Sequence, residues 1–119
     1  MGFREHIALQ VEAGEEGTGT VLLEAGEEHL NPHGTVHGGV LATLADIAMG
    51  AALNAATGPD DAPVTVSLVM TYLEPAPPGL TTATGTITRQ GKRITIAEAA
   101  MTSADGTVVA TSVGTFTLV

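Results

Sequence analysis

A chain of 119 residues without cysteine has the length of one domain and leaves no room for a disulfide, a thiolate zinc site or a cysteine nucleophile. Its 44% hydrophobic and 14% charged content is that of a globular protein, too apolar for a disordered one. The net charge of -9, from 13 acidic and 4 basic residues, opposes binding to nucleic acid or to an anionic membrane.

The first residues, Met1-Gly2-Phe3-Arg4-Glu5-His6, are not followed by the apolar region of a signal peptide. No uninterrupted apolar run approaches the ~18 residues of a membrane span. A soluble, cytoplasmic protein is therefore expected. Residues 7–13 and 18–24 read as two strands joined by the turn Gly14-Glu15-Glu16-Gly17. Residues 27–35 read as irregular, because Pro32 and Gly34 oppose a regular helix.

Residues 37–57 read as the one long helix. Gly38 and Gly39 stand at its start, Ala, Leu and Met dominate its length, and Thr57-Gly58-Pro59 stops it. Four strands follow. Residues 64–74 run up to the stiff turn Pro75-Ala76-Pro77-Pro78-Gly79. Residues 80–90 alternate Thr with small or apolar residues and end at a turn marked by Gly91. Residues 92–104 and 107–119 flank Asp105-Gly106, a strong hairpin signal. Strands arranged around a single helix predict an α+β fold with an antiparallel sheet, one domain over residues 1–119.

The helix carries a single charge, Asp46, where a surface helix would carry charges along its outer face. One turn away from Asp46 lie Ala42, Thr43, Met49 and Gly50, all uncharged. Such a helix is expected to be covered nearly all round. The sheet can cover one side, and a second copy of the chain is the simplest cover for the other. An acid in those surroundings is costly unless it is paired. It either serves function or satisfies a neighbouring loop or a groove.

The N–H groups at the start of the helix, at Gly38 and Gly39, have no partners within it and sit at its positive end. They can hold an oxyanion, or they can belong to a plain junction where glycine permits tight packing. His29, His33 and His37 are spaced by four, which makes one face only on a helix; Pro32 and Gly34 prevent that, so no metal site is expected. Ser112 lacks the helix that follows a nucleophile elbow. Arg89, Lys92 and Arg93 are three of the four basic residues, gathered within five positions. They form either a soluble hairpin tip or an anion site.

Asn31-x-x-Gly34-x-x-His37-Gly38-Gly39, followed by Leu44-Ala45-Asp46, resembles the signature of hotdog-fold acyl-CoA thioesterases of the phenylacetate-degradation type. Val66-x-x-x-x-x-Tyr72-Leu73-x-Pro75 and Gln90-Gly91-Lys92 are similar to later segments of that family. The resemblance implies a hotdog fold, a curved antiparallel sheet wrapped around one long central helix. It implies a homodimer, or a dimer of dimers making a homotetramer, with active sites at the subunit interface. By position, Asp46 is the implied nucleophile or general base and the Gly38 N–H the oxyanion donor. His37 and Asn31 would orient the carbonyl, the water or the helix start, and Thr65 would position water. Arg89, Gly91, Lys92 and Arg93 would hold the phosphates of coenzyme A, which arrives as part of the substrate; no separate cofactor is implied. The N-terminal helix of the family is expected to be short or missing.

The expected reaction is hydrolysis of an aryl-, arylacetyl- or medium-chain acyl-CoA to free acid and CoA. A non-catalytic acyl-CoA or acyl-carrier binding module on the same fold is the alternative. A hotdog dehydratase fits less well, because its Asp and His stand in a different local pattern. With only Phe3, Tyr72 and Phe116 as aromatics, the acyl pocket must be shaped largely by Leu, Val, Met and Ala.

Overall fold

Threonine and valine, stiff at Cβ, suit half-buried pleated strands, and small residues at alternate positions let a helix settle closely on them. The computed structural model describes residues 2–12, 14–58 and 60–118. In chain order they form α1 (Phe3–Ile7), β1 (Gln10–Glu12), β2 (Thr18–Ala25), a 3-10 turn (Glu27–His29), α2 (Gly38–Thr57), β3 (Pro63–Tyr72), β4 (Gly79–Gln90), β5 (Ile94–Ser103) and β6 (Val108–Leu118). The strands make one six-stranded sheet in the order β1-β2-β4-β5-β6-β3, antiparallel throughout. Helix α2 lies across one face and touches every strand of it. This is the α+β architecture, one long helix against an antiparallel sheet, that the sequence predicts.

The helix-facing side of the sheet is read in alternation: Val21, Leu23 and Ala25 on β2, and Thr95, Ala97, Ala99 and Met101 on β5, are buried. From α2 the buried residues are Leu41, Leu44, Ala45, Ala48, Met49, Ala52 and Leu53, at helical spacing. Each fully buried Leu or Met of this set contributes about 1.5–3 kcal/mol. Two glycines set the depth of the contact. Gly19 and Gly85 face each other across β2 and β4. A Cβ on either would come within 2.5 Å of the Ala48 carbonyl oxygen. The helix therefore rests on a glycine floor, nearer the sheet than any side chain would allow.

Helix α2 is long and apolar enough by composition to cross a membrane, but seven of its residues are buried against the sheet. The expectation that it is covered nearly all round is not met within one chain. A stripe comprising Thr43, Asp46, Ile47, Gly50 and Asn54 is only half-buried, and Gly39 and Ala55 are exposed. Nor is the free edge at β3 covered: Val64, Val66, Val69 and Tyr72 are exposed on a ten-residue strand without a charge.

Several boundaries differ from the sequence reading. Residues 7–13 are not one strand: Ile7 ends α1, Ala8 adopts a left-handed conformation at φ 61°, and β1 starts at Gln10. The physical reason is a long-range contact, since buried His29 hydrogen-bonds the Ile7 carbonyl and holds the chain in its helical turn. The N-terminal helix is thus short rather than missing. Lys92 and Arg93 belong to the turn before β5, not to the strand. Glu27–His29 forms a 3-10 turn inside the segment read as irregular. The expected strand end at Ala13, helix stop at Pro59 and strand end at Val119 fall outside the described residues, as does Met1; Gly58 caps α2.

Candidate active site

The start of α2 is assembled by side chains from the loop before it. The Asn31 Oδ1 accepts the His33 and Thr35 amides, at 2.9 and 3.2 Å, while its Nδ2 donates to the Thr35 hydroxyl. That ties residues 31–35 into a closed turn. His37 is the N-cap: its Nδ1 accepts the Gly39 amide at 2.9 Å. Its own amide donates to the carbonyl of His29 at 2.8 Å. Gly39 is therefore not an open donor, which corrects the expectation that both glycines present free N–H groups. Among the described residues the Gly38 amide has no acceptor. Of the roles open to His37 and Asn31, the contacts within the chain are those that orient the helix start.

The Gly38 carbonyl accepts from the Tyr72 hydroxyl at 2.7 Å. A Cβ at position 38 would lie 3.2 Å from the Tyr72 ring, so glycine is what lets the ring close over this turn. A cleft of about 380 Å³ opens here, lined among others by Asn31, Gly38, Leu41 and Tyr72.

Asp46 is half-buried on the open stripe of α2, and its Oδ1 accepts from the Thr65 hydroxyl at 2.5 Å. Asp46 lines two clefts. One, of about 240 Å³, is mostly apolar and lined by Phe3, Ala42, Thr43, Asp46, Ile47 and Leu68. The other, of about 260 Å³, includes Arg4, Asn54, Thr65 and Phe116. Arg4 lines the second cleft with the acid, and Phe3 lines the first. Neither stands out in the sequence, because α1 is brought to this place by contacts distant in sequence, among them the His29 bond to the Ile7 carbonyl.

The two halves of the site are separated within one chain. Gly38 and Asp46 are eight positions apart on one helix, which at about 1.5 Å per residue is about 12 Å. One carbonyl cannot reach both. Edge strand β3 touches each, through Thr65 near its start and Tyr72 at its end.

Arg89, Gly91, Lys92 and Arg93 lie at or beside the β4–β5 hairpin tip, and the three cations are exposed. The Gly91 amide closes the tip on the Ile94 carbonyl at 3.0 Å. A Cβ on Gly91 would meet that oxygen at 2.5 Å. The sheet register runs from Thr65 to Phe116, Thr95 and Gln90. The basic tip thus sits at the Asp46 end of the sheet, three strand spacings away, about 14 Å.

Residues 33–110 match the thioesterase superfamily. The chain is 30% identical over 102 residues to a 1,4-dihydroxy-2-naphthoyl-CoA hydrolase of Listeria monocytogenes, covering 86% of this chain and 83% of that protein. Its structure is similar to that of a point mutant of the phenylacetic acid degradation protein PaaI from Thermus thermophilus, at a TM-score of 0.87 and 31% identity over 97% of this chain and 96% of that one. A conserved protein of Pseudomonas aeruginosa matches at a TM-score of 0.94 and 27% identity, over 100% of this chain and 94% of that one.

Proposed function

The chain belongs to the thioesterase superfamily and is a thioester hydrolase, and on that premise we propose that it cleaves an acyl-CoA carrying an aryl, arylacetyl or medium-length aliphatic group to the free acid and CoA. The observation that carries this reading is the Asp46–Thr65 pair at an apolar cleft, on a helix with no other charge. Asp46 attacks the thioester carbonyl, or takes the proton of a water that does. In the first route the carbon–sulfur bond breaks as a mixed anhydride forms on Asp46, and water then cleaves that anhydride, freeing the acid and Asp46 and supplying the thiolate's proton. In the second, the oxygen of water bonds to the carbonyl carbon, the carbon–sulfur bond breaks, and the proton taken by Asp46 passes to the thiolate. The Gly38 amide, at the positive end of α2, stabilises the charge that develops on the carbonyl oxygen.

The ~12 Å between acid and amide makes each site the work of two copies. Antiparallel pairing of β3 with β3 of a second copy sets the Thr65 end of one strand beside the Tyr72 end of the other. Asp46 of one copy then approaches Gly38 of the partner subunit. A long, uncharged, exposed edge strand is otherwise a hazard, and such pairing removes it. For a dimer of dimers, the outer sheet face offers surface: Glu98 is the only charge on β5 and β6. In this reading the basic hairpin tip takes the phosphates of CoA, with the pantetheine arm spanning the distance to the acid.

The test follows thiol release across a panel of acyl-CoA esters. Asp46→Asn should lower turnover by about two to four powers of ten without changing the oligomer. Full turnover in that variant rules the mechanism out. Tight binding by the wild-type protein with no thiol released would favour a binding module instead.

A further inference from the structure

We propose that the N-terminal helix α1 is the end wall of the acyl pocket, that Phe3 sets the length of acyl group accepted, and that His29 is the positioning residue that holds the wall in place. This rests on the proposed function only in taking the cleft beside Asp46 as the acyl site.

The cleft of about 240 Å³ beside Asp46 is lined by Phe3, with Ile47 and Leu68 as its other large apolar residues. Its lining holds no cation, so it suits an uncharged acyl group. A cavity of about 150 Å³ holds one benzene ring. The space here is that of a single ring with a short linker, or of an aliphatic chain of similar bulk, and in this proposal Phe3 stands where a longer group would have to pass.

Phe3 has no structural task that explains it. It is 62% exposed, in a chain with only three aromatics, and α1 contains no buried residue. A helix of five residues does not persist on its own propensity. α1 is held by His29, which is 2% exposed, and by Leu9 just beyond it, which packs against the core. The His29 Nδ1 accepts the Gly26 amide at 2.9 Å, so the ring proton sits on Nε2, which donates to the Ile7 carbonyl at 2.7 Å. Immediately beyond, Ala8 turns the chain in a left-handed conformation that non-glycine residues adopt only at a cost. The His29 backbone carbonyl also accepts the His37 amide, so one residue ties both α1 and the start of α2 to the same loop.

The experiment measures binding of non-hydrolysable S-alkyl-CoA thioethers of increasing length by calorimetry, which does not depend on catalysis. Affinity for the wild-type protein should rise with length and then stop rising. Phe3→Ala should move that limit outward, tightening the longest analogues about tenfold relative to the short ones, the effect of roughly two further methylenes in contact. An unchanged limit in Phe3→Ala overturns the wall. His29→Ala should reproduce the Phe3→Ala profile, and His29→Gln, which keeps a donor for the Ile7 carbonyl, should restore the wild-type one. A wild-type profile in folded His29→Ala overturns the role of His29. If His29→Ala does not fold, the Phe3→Ala profile decides, since that side chain is exposed. Normal length selection in a chain that never releases thiol would sink the enzymatic reading while leaving the wall standing; no binding of any analogue overturns both.

Discussion

The Thr65 hydroxyl donates to Asp46 Oδ1 across 2.5 Å, joining the edge strand to the central helix at that helix's only charge. The bond holds one carboxylate oxygen and leaves the other for the chemistry proposed for Asp46. A hydrogen bond to a charged group is worth about 1.5–3 kcal/mol. Thr65→Val should lower kcat about tenfold or more with little change in KM, and Thr65→Ser should recover most of it. Equal kcat in Thr65→Val and wild type would remove Thr65 from the site.

Replacing Arg89, Lys92 and Arg93 together by Ala should raise KM for an acyl-CoA about tenfold and flatten its dependence on salt, with kcat retained. The same acyl group on a truncated pantetheine thioester should be hydrolysed equally well by both proteins. A KM effect that persists on the truncated substrate would mean that the tip does not read the phosphates.

Val69 stands on the free edge at 61% exposure. Val69→Lys adds a charge where two copies are proposed to pair, and edge lysines oppose such pairing. The variant should sediment as a smaller species and lose turnover in step with that change. A fully active monomer would show that one chain builds the whole site.

Gly85→Ala places a Cβ 2.5 Å from the Ala48 carbonyl oxygen, against backbone that cannot rotate away. Overpacking of this kind costs about 1–3 kcal/mol, and the thermal midpoint should fall by several degrees. Gly17→Ala serves as the comparison at a turn: its Cβ would meet nothing within 4 Å, and only its positive φ of 78° opposes the change. Equal losses in the two variants would show that the glycine floor is not where the constraint lies.

Asp105 closes the β5–β6 hairpin. The Ser103 hydroxyl and then the Thr107 amide hold its carboxyl at a pKa of about 2, below the ordinary 3.8. Because the folded value is the lower one, the charged form adds stability that is present above pH 3.8 and fades as pH falls through about 2. The difference in melting temperature between wild type and Asp105→Ala should be constant above pH 3.8 and shrink below it. A difference that grows on acidification would contradict the hairpin bond.

The long helix and the four strands after it are legible because their signals are local. Ala and Leu at helical spacing, the Gly58 stop and the Asp105-Gly106 turn each act within a few residues. Asp46 is legible for the same reason, as a single acid in an uncharged run. The N-terminal helix is not, since Ile7 looks like the start of a strand until His29, 22 positions later, captures its carbonyl. The Gly39 amide is likewise hidden, because the side chain that occupies it belongs to the residue read as an orienting group. Tyr72 is visible in the sequence as a motif residue, but its bond to the Gly38 carbonyl spans 34 positions and follows only from β3 lying at the sheet edge.

The glycine pair beneath Ala48 also limits how such a chain can diversify. With helix and sheet already at backbone contact, no enlargement of the interior can make room for a different guest molecule without lifting the helix off its bed. New selectivity must be written on the opposite side of that helix, by the residues of its open stripe and the short segment laid over them.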